Sequence, residues 1–444
     1  MAELLNPVIL SVLVLVALSL SRVNVVIALL LAAAVGGVAG GLSLEETFSV
    51  LIDGLGGQGE TALSYILLGT LAVMVARSGL TRKLIRRVMP LLRGPRAVVL
   101  FAIAGLACFS QNLVPVHIAF IPILIPPLLA AFDRMKIDRR GVAVALTFGL
   151  KAPYLIVPLG FGLIFQGIIV DAMAENGMEI SLGQIPLAMA IPVGAMGVGL
   201  AIAVLVTYRK DREYTNPQPL TDDAANPLGA LDAGDADLKW RRGDYAVLIG
   251  LAVTLALQLV YGSLVMAALA GVVVIFVLGG ERWTDGDPIV DRGVAMMGTI
   301  AFIMLVASGY ASVLTETGAV EDLVASTSDW IGDSRLLTAV IMMLVGLVVT
   351  MGIGTSFGTV PVLAAFFVPL AAAVGFSPLA TAALIGAAGA IGDAGAPASD
   401  STLGPTSGLN ADGQHHHIWD TCVPTFLHYN VLLFAGGVLA AMVL

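Results

Sequence analysis

The sequence predicts an all-α polytopic membrane protein built as two inverted copies of one unit. Its composition, the length of its apolar runs and the placement of its basic residues carry that reading. Of 444 residues, 58% are hydrophobic and 12% are charged, and the mean hydropathy is +0.96. A soluble domain has about 45–50% apolar and about 25% charged residues. This chain lacks the charge to cover a water-facing surface, which excludes a soluble enzyme, a nucleic-acid binder and a disordered chain. The 50 glycines suit a helical bundle in lipid, where small residues let helices approach closely. Cys108 and Cys422, the only cysteines, have no metal or disulfide spacing and read as packing residues. The first ten residues carry no basic side chain, and Arg22 follows the first apolar run. That predicts a first span with its N-terminus outside, not a cleaved signal peptide.

A helix needs about 20 apolar residues to cross about 30 Å of hydrocarbon. The runs are Leu5–Ser21, Val23–Leu42, Ala62–Leu80, Ala97–Phe132, Gly141–Val170, Gln184–Tyr208, Asp244–Tyr261, Ser263–Gly279, Gly293–Leu314, Leu336–Val374, Pro378–Gly408 and Val423–Leu444. Ala97–Phe132 and Leu336–Val374 are too long for one span, and each divides into two arms of about 25 Å at 1.5 Å per residue. Of the 22 basic residues, all but Lys151 and Arg335 fall on one side of a single alternating topology. The positive-inside rule makes that side cytoplasmic. The opposite loops are acidic, with Glu45, Glu46, Asp53 and Glu60 in one and Glu316, Glu321, Asp322 and Asp329 in another. Both termini are then on the outer face of a plasma membrane. Arg96 and Arg134 share a side, so Ala97–Phe132 enters and leaves on that side, and Leu336–Val374 does the same from the other. Their tips, Ser110-Gln111-Asn112 and Gly354-Thr355-Ser356-Phe357-Gly358-Thr359, are polar backbone at membrane depth. Such backbone is tolerated only inside protein or beside a wet cavity. Two re-entrant hairpins are expected.

The tips continue into similar sequences. Val114-Pro115-Val116-His117-Ile118-Ala119-Phe120 matches Val360-Pro361-Val362-Leu363-Ala364-Ala365-Phe366 at five of seven positions, and Lys151-Ala152-Pro153 aligns with Gly395-Ala396-Pro397. Each half has three spans, a hairpin, a broken span and a final span, about ten spans and two hairpins in all. Five crossings separate the halves, so they are inverted. Inverted repeats with discontinuous helices are an architecture of secondary transporters, with the site at the midplane between them.

The most informative stretch is Gly392-Asp393-Ala394-Gly395-Ala396-Pro397-Ala398-Ser399-Asp400-Ser401-Thr402. Pro397 removes a donor and breaks the helix inside an apolar span. The freed carbonyls, Asp393, Asp400, Ser399, Ser401 and Thr402 offer hard oxygens, suited to Na+ or a proton. The candidate Na+ ligands are Asp393, Asp400 and Ser399. A carboxylate here costs about 2.5–3.5 kcal/mol on insertion scales, which marks it as functional. Lys151 aligns with Gly395 and places an ammonium where the second half would hold a cation. It is expected to neutralise Asp393 or Asp400, or to bind a substrate carboxylate. Ser110, Gln111 and Asn112, and Thr355, Ser356 and Thr359, are the tip candidates, with His117 nearby. His415-His416-His417 reads as a solvated cytoplasmic loop, because three adjacent histidines do not share a helix face. Asp420 and His428 could cap or relay.

Gly392-Asp393, Pro397 and Ser399-Asp400-Ser401-Thr402 resemble the signature of the NhaC-type Na+/H+ antiporter family of the ion-transporter superfamily. The tail from His417-Ile418-Trp419-Asp420 through Pro424-Thr425-Phe426-Leu427-His428-Tyr429-Asn430 is similar to a subgroup of amino-acid (histidine) permeases. Ala396 stands where the family has Ser, one hydroxyl fewer. The resemblance implies an elevator-type transporter and a homodimer, with Na+ or H+ as coupling ion and no other cofactor. Residues 1–95 and 244–335 would be scaffold, 96–208 and 336–444 would carry the hairpins and broken helices, and 209–243 would link them. A coupled carrier of a small solute, an amino acid, is the first reading. Na+/H+ exchange through Asp393 and Asp400 is the second. An intramembrane aspartyl protease needs Gly-x-Gly-Asp, and Ala390 occupies the first position. No repeated selectivity filter suggests a channel.

Overall fold

The computed structural model describes residues 6–78, 94–112, 117–159, 161–215, 240–261, 263–319, 322 and 334–444, and these contain helices and no strand. The first half holds α1 (Pro7–Leu20), α2 (Val25–Ala39), α3 (Leu44–Gly54), α4 (Gly59–Ser78), α5 (Arg96–Asn112), α6 (His117–Arg134), α7 (Arg139–Ile156), α8 (Phe161–Glu175) and α9 (Ile185–Ile202). The second holds α10 (Arg242–Tyr261), α11 (Leu264–Val277), α12 (Gly286–Glu316), α13 (Arg335–Ile353), α14 (Ser356–Ala373), α15 (Pro378–Ile391), α16 (Asp400–Leu409) and α17 (Val431–Val443). Six described helices are long and apolar enough to cross a membrane, with α3 and α4 together a seventh candidate bent by 47°. Side chains such as Leu13, Ile27, Val260, Val277 and Val443 stay more than half exposed, as they would against lipid tails.

Several elements differ from the sequence expectation. The acidic segment after Leu42 is not only a loop. Ser43 caps Glu46 N–H at 3.2 Å while Glu46 answers Ser43 N–H at 2.8 Å, and this reciprocal cap starts α3. The first-half break lies after Lys151-Ala152-Pro153. α7 runs through Pro153 to Ile156, and the chain leaves helical geometry at Val157, ahead of Pro158. The residue before a proline is pushed toward extended backbone, so Pro158 decides the stop. In the second half the break falls where expected, between α15 and α16. The second hairpin turns at Gly354, which takes φ +78 as the cap of α13. Ser356 to Thr359 are already helical. The matching 113–116 segment of the first tip lies outside the described residues.

Packing partners recur between the halves. α1 lies on α2 as α10 lies on α11. α2 meets α12 as α11 meets α4. α5 covers α7 as α13 covers α15. α6 lies on α16 as α14 lies on α8. α4 packs on α12, and α9 on α17. α15 is innermost: every residue from Ala380 to Ile391 is buried. Its sequence is mostly Ala and Gly, and small side chains let neighbouring backbones close in without a hydrophobic drive from water. At one end Arg139, fully buried, donates to Asp133 (2.9 Å), Asp412 (2.7 Å) and the Leu409 carbonyl (3.3 Å). That guanidinium ties α6, α7 and the end of α16 together.

Candidate functional site at the helix breaks

The α15–α16 break places Asp393 in a tight 3-10 turn, Asp393–Gly395, 3% exposed. Lys151, on α7 and 2% exposed, donates to its Oδ2. Ser356, at the start of α14, donates to the same oxygen at 2.5 Å, and Ser399 donates to Oδ1. The remaining Lys151 hydrogens go to Tyr154 Oη (2.8 Å) and Ser356 Oγ (3.1 Å), and Tyr154 Oη lies 3.0 Å from Ser356 Oγ. A consistent assignment follows. Ser356 gives its one hydrogen to Asp393 and accepts from Lys151 and Tyr154. Three of the ammonium's three donors are used, and both carboxylate oxygens are bonded. The network closes on itself as a neutral unit.

Around it the break is braced by hydroxyls. Ser399 caps α16 through Ser401 N–H at 3.1 Å. Ser401 donates to the Asp393 carbonyl at 3.0 Å, and Thr402 to the Ala396 carbonyl at 2.6 Å. Each of these carbonyls at the break also accepts a long backbone bond, from Ala396 N–H at 3.4 Å and Ser399 N–H at 3.3 Å, and the hydroxyl gives it a second, shorter partner. Thr147 on α7 bonds the Ser401 carbonyl at 3.0 Å. In the first half Gln166 does the same work, donating to the Tyr154 and Leu155 carbonyls at 3.4 and 3.3 Å.

The structure thus gathers Lys151, Ser356, Asp393, Ser399 and Ser401. Asp400 is half-buried in the first turn of α16, and its charge acts on Lys151, Tyr154 and Tyr65. Thr359, buried on α14, gives its hydroxyl hydrogen to the Thr355 carbonyl at 2.6 Å. The side chains of Ser110, Gln111, Asn112 and His117 lie outside the described residues. The histidine tract is not a solvated loop. Only His416 is exposed; His415 is buried and meets Thr421 Oγ1 at 2.7 Å, and His417 donates from Nε2 to the Pro397 carbonyl at 2.7 Å. Burial pushes His415 down to about 3, despite the pull of Asp420. The helix passes from His417 into a wide π turn, and the loop folds back against the break rather than into water. Asp420 pairs with Arg212 at 3.0 Å, and His428 bridges the Pro424 carbonyl and Thr207.

Sequence reasoning missed Tyr154, Gln166 and Asn430. Tyr154 stands three residues after Lys151, a spacing that puts both on one helix face. Asn430 is 2% exposed with neither amide atom hydrogen-bonded. A cavity of about 710 Å3 was also missed. It lies between α3, α12 and the hairpin tip, and Gly354, Thr355 and Ala398 form part of its wall. Ser356 and Ser399, both on Asp393, are the next residues in the chain. A second cavity of about 590 Å3 is lined by Arg22, Asn24, Asn410 and His415 to His417.

The family model described as "Na+/H+ antiporter family" matches residues 145–441, two thirds of the chain and all of the second break. The chain belongs to the Na+/H+ antiporter family. A second model, "Na+-H+ antiporter family", matches residues 6–92. The chain is 48% identical over 451 residues to a Bacillus subtilis protein named "Putative amino acid transporter YuiF", covering 99% of this chain and all of the relative. It is 48% identical over 456 residues to an uncharacterised membrane protein of Vibrio parahaemolyticus, again over 99% of this chain and all of the other. Two solved structures, the YdaH transporter of Alcanivorax borkumensis and MtrF of Neisseria gonorrhoeae, align over 90% of this chain and 88% and 85% of theirs. Their TM-score is 0.46 and their identities are 16% and 14%. Members of the Na+/H+ antiporter family are membrane transporters, and this chain is one.

Proposed function

We propose that this transporter carries a small zwitterionic solute, an amino acid, coupled to Na+ or H+ by alternating access. The carrying observation is the closed Lys151–Asp393 pair at the helix break, whose partners Ser356 and Ser399 each follow a cavity-wall residue in the chain. Desolvating two charges is costly and their attraction only partly offsets it, so a buried pair in an apolar span points to use rather than to stability. A cation or proton that takes Asp393 releases Lys151, whose ammonium can then receive a carboxylate. The solute's carboxylate and the coupling ion thus bind together or not at all. The name of the Bacillus subtilis relative points to the same solute class.

Reciprocal packing supports an inverted repeat of five spans and one hairpin per half, with α4–α12 and α9–α17 on the pseudo-axis. In this reading residues 1–95 and 244–335 are scaffold, joined by the 209–243 linker to moving parts at 96–208 and 336–444. The two cavities support the orientation. Asp53 and Glu316 line one, Arg22 lines the other, and charge bias assigns these to opposite sides of the plasma membrane. The termini are then outside, and a homodimer would anchor the scaffold.

Proteoliposome uptake of an amino-acid panel, with and without a Na+ or pH gradient, tests the reading. Uptake that needs a gradient and falls in Lys151→Ala is expected. Unchanged uptake in Lys151→Ala would overturn the role of the pair. Three groups around Asp393 are hydroxyl or ammonium donors that a cation can displace, which favours Na+/H+ exchange as the second reading. Na+-driven proton efflux with no solute moved would select it.

A further inference from the structure

We propose that the cavity between α3, α12 and the hairpin tip is a recognition site for positively charged solutes, so that the transported class is amino acids with a cationic side chain. This rests on the transporter reading and narrows it. The wall presents acceptors almost exclusively. Ser308 gives its hydrogen to the Gly54 carbonyl at 2.8 Å, Ser312 to the Ser308 carbonyl at 3.1 Å, and Thr315 to the Ala311 carbonyl at 3.0 Å. A hydroxyl has one hydrogen, so what each of these can offer a ligand is a lone pair. Asp53 and Glu316 add two exposed carboxylates, acceptors only when ionised. Among the described residues no Lys, Arg or His lines the space, and of the polar side chains there Gln58 and Thr355 are those with hydrogens left to give.

Several helix ends border the cavity. Asp53 and Gly54 end α3, Thr315 and Glu316 end α12, and Ile353 ends α13, and all five line the cavity. Helix C-termini carry partial negative charge from unpaired carbonyls. The C-termini of α12 and α13 meet here with the N-termini of α14 and α16, which begin beside Thr355 and Ala398, while α3 runs on into a 3-10 turn at Leu55. The helix ends thus largely offset, and the sign of the site rests on its carboxylates and hydroxyls. A cleft lined by one sign of charge focuses its field and concentrates counter-charge. About 710 Å3 is in the size range of small-molecule sites. On α12 the groups recur at Ser308, Ser312, Thr315 and Glu316, a polar stripe along one face of a helix that is mostly apolar from Gly293 onward. A lysine-, arginine- or imidazolium-type head satisfies these acceptors, whereas a neutral aliphatic side chain gains nothing from them and displaces part of their water.

The test uses the full chain in proteoliposomes with labelled lysine, leucine and glutamate, beside the Asp53→Asn/Glu316→Gln variant. Lysine is expected to be taken up over leucine. The variant should cut that ratio about tenfold, the scale of a lost charged hydrogen bond. High ionic strength should erode the wild-type ratio. A wild type that prefers leucine or glutamate, or a variant that keeps the ratio or changes only the Na+ dependence, would overturn the proposal. A second arm measures binding alone, as stabilisation of purified protein by lysine, leucine or NaCl. If no amino acid is transported but lysine still stabilises the wild type and not the variant, the cavity assignment stands and the amino-acid transport reading falls. If NaCl alone stabilises, the cavity is a Na+ antechamber and the proposal fails.

Discussion

Separating Lys151 from Asp393 should be costly one partner at a time and much cheaper when both go. Both side chains are under 5% exposed, and their contact joins α7 to the α15–α16 break. Removing one member of a buried ion pair typically costs about 3–5 kcal/mol, because the other is left charged and unpaired, while replacing both can be nearly neutral. The structure ranks the two variants. In Lys151→Met, Asp393 keeps the Ser356 and Ser399 hydroxyls on its oxygens, so the cost should fall near the lower end. In Asp393→Asn, Lys151 keeps only neutral oxygens from Tyr154 and Ser356 as direct partners, and the cost should fall near the upper end. The double variant should cost less than the sum by roughly 2–4 kcal/mol, a coupling expected only of contacting groups. Reversible unfolding in mixed micelles, with all four proteins, measures the cycle. Single-variant costs below about 1 kcal/mol, or strictly additive costs, would refute a dry, charged pair at the break.

Three further outcomes follow from the geometry. Arg139→Met should cost about 3–5 kcal/mol by stranding Asp133 and Asp412, and Arg139→Lys should not restore it, since an ammonium cannot bond both carboxylates and the Leu409 carbonyl from one plane; unfolding midpoints check this. His415 is buried, and its folded-state value near 3 lies below the ordinary 6.5. The unfolded chain therefore binds the proton more readily, and stability should fall as pH drops from 6.5 toward 3, by up to about 1.4 kcal/mol per unit. Asp412, held low by Arg139 against the cost of its burial, adds a loss only below about pH 4, and His415→Gln should flatten the upper part of the curve. Gly392→Ala should destabilise by about 1–3 kcal/mol or more, because its Cβ would sit 2.6 Å from Met351 N and 2.8 Å from the Leu347 carbonyl. Gly105→Ala, with open space around it, should be neutral or gain about 0.5–1 kcal/mol of helix propensity; the pair of unfolding measurements is its own control.

Hydropathy, charge placement and one interrupted span were enough to read an all-helical membrane transporter and to single out Asp393, Ser399 and Lys151. Those are local properties. A run of apolar residues, a proline inside it and a carboxylate beside the proline each have meaning in lipid wherever the rest of the chain goes. The family signature around Gly392 to Thr402 is local for the same reason. Less visible was the first-half break, because alignment to Pro397 drew attention to Pro153 while Pro158 stops the helix. The histidine tract misled for a similar cause: adjacency on the chain says nothing of whether a loop is folded back onto a helix break. The polar stripe from Ser308 to Glu316 was in plain view, but its helix reads as an ordinary apolar span until a cavity is found on that face.

What the sequence by itself determined is the solvent this chain folds in and the residues too expensive to be there without a reason. The repeat alignment set Lys151 against Asp393 or Asp400, and tertiary structure decided which carboxylate it meets. Lys151 and Asp393 are 242 residues apart, and only the crossing of α7 and the second break brings an ammonium onto a carboxylate. It also decided the sign of the cavity, since a serine can donate or accept until a neighbouring carbonyl claims its hydrogen. Apolarity and helix-breaking are carried by each residue along the chain, whereas pairing and hydrogen-bond direction exist only between residues that packing has placed side by side.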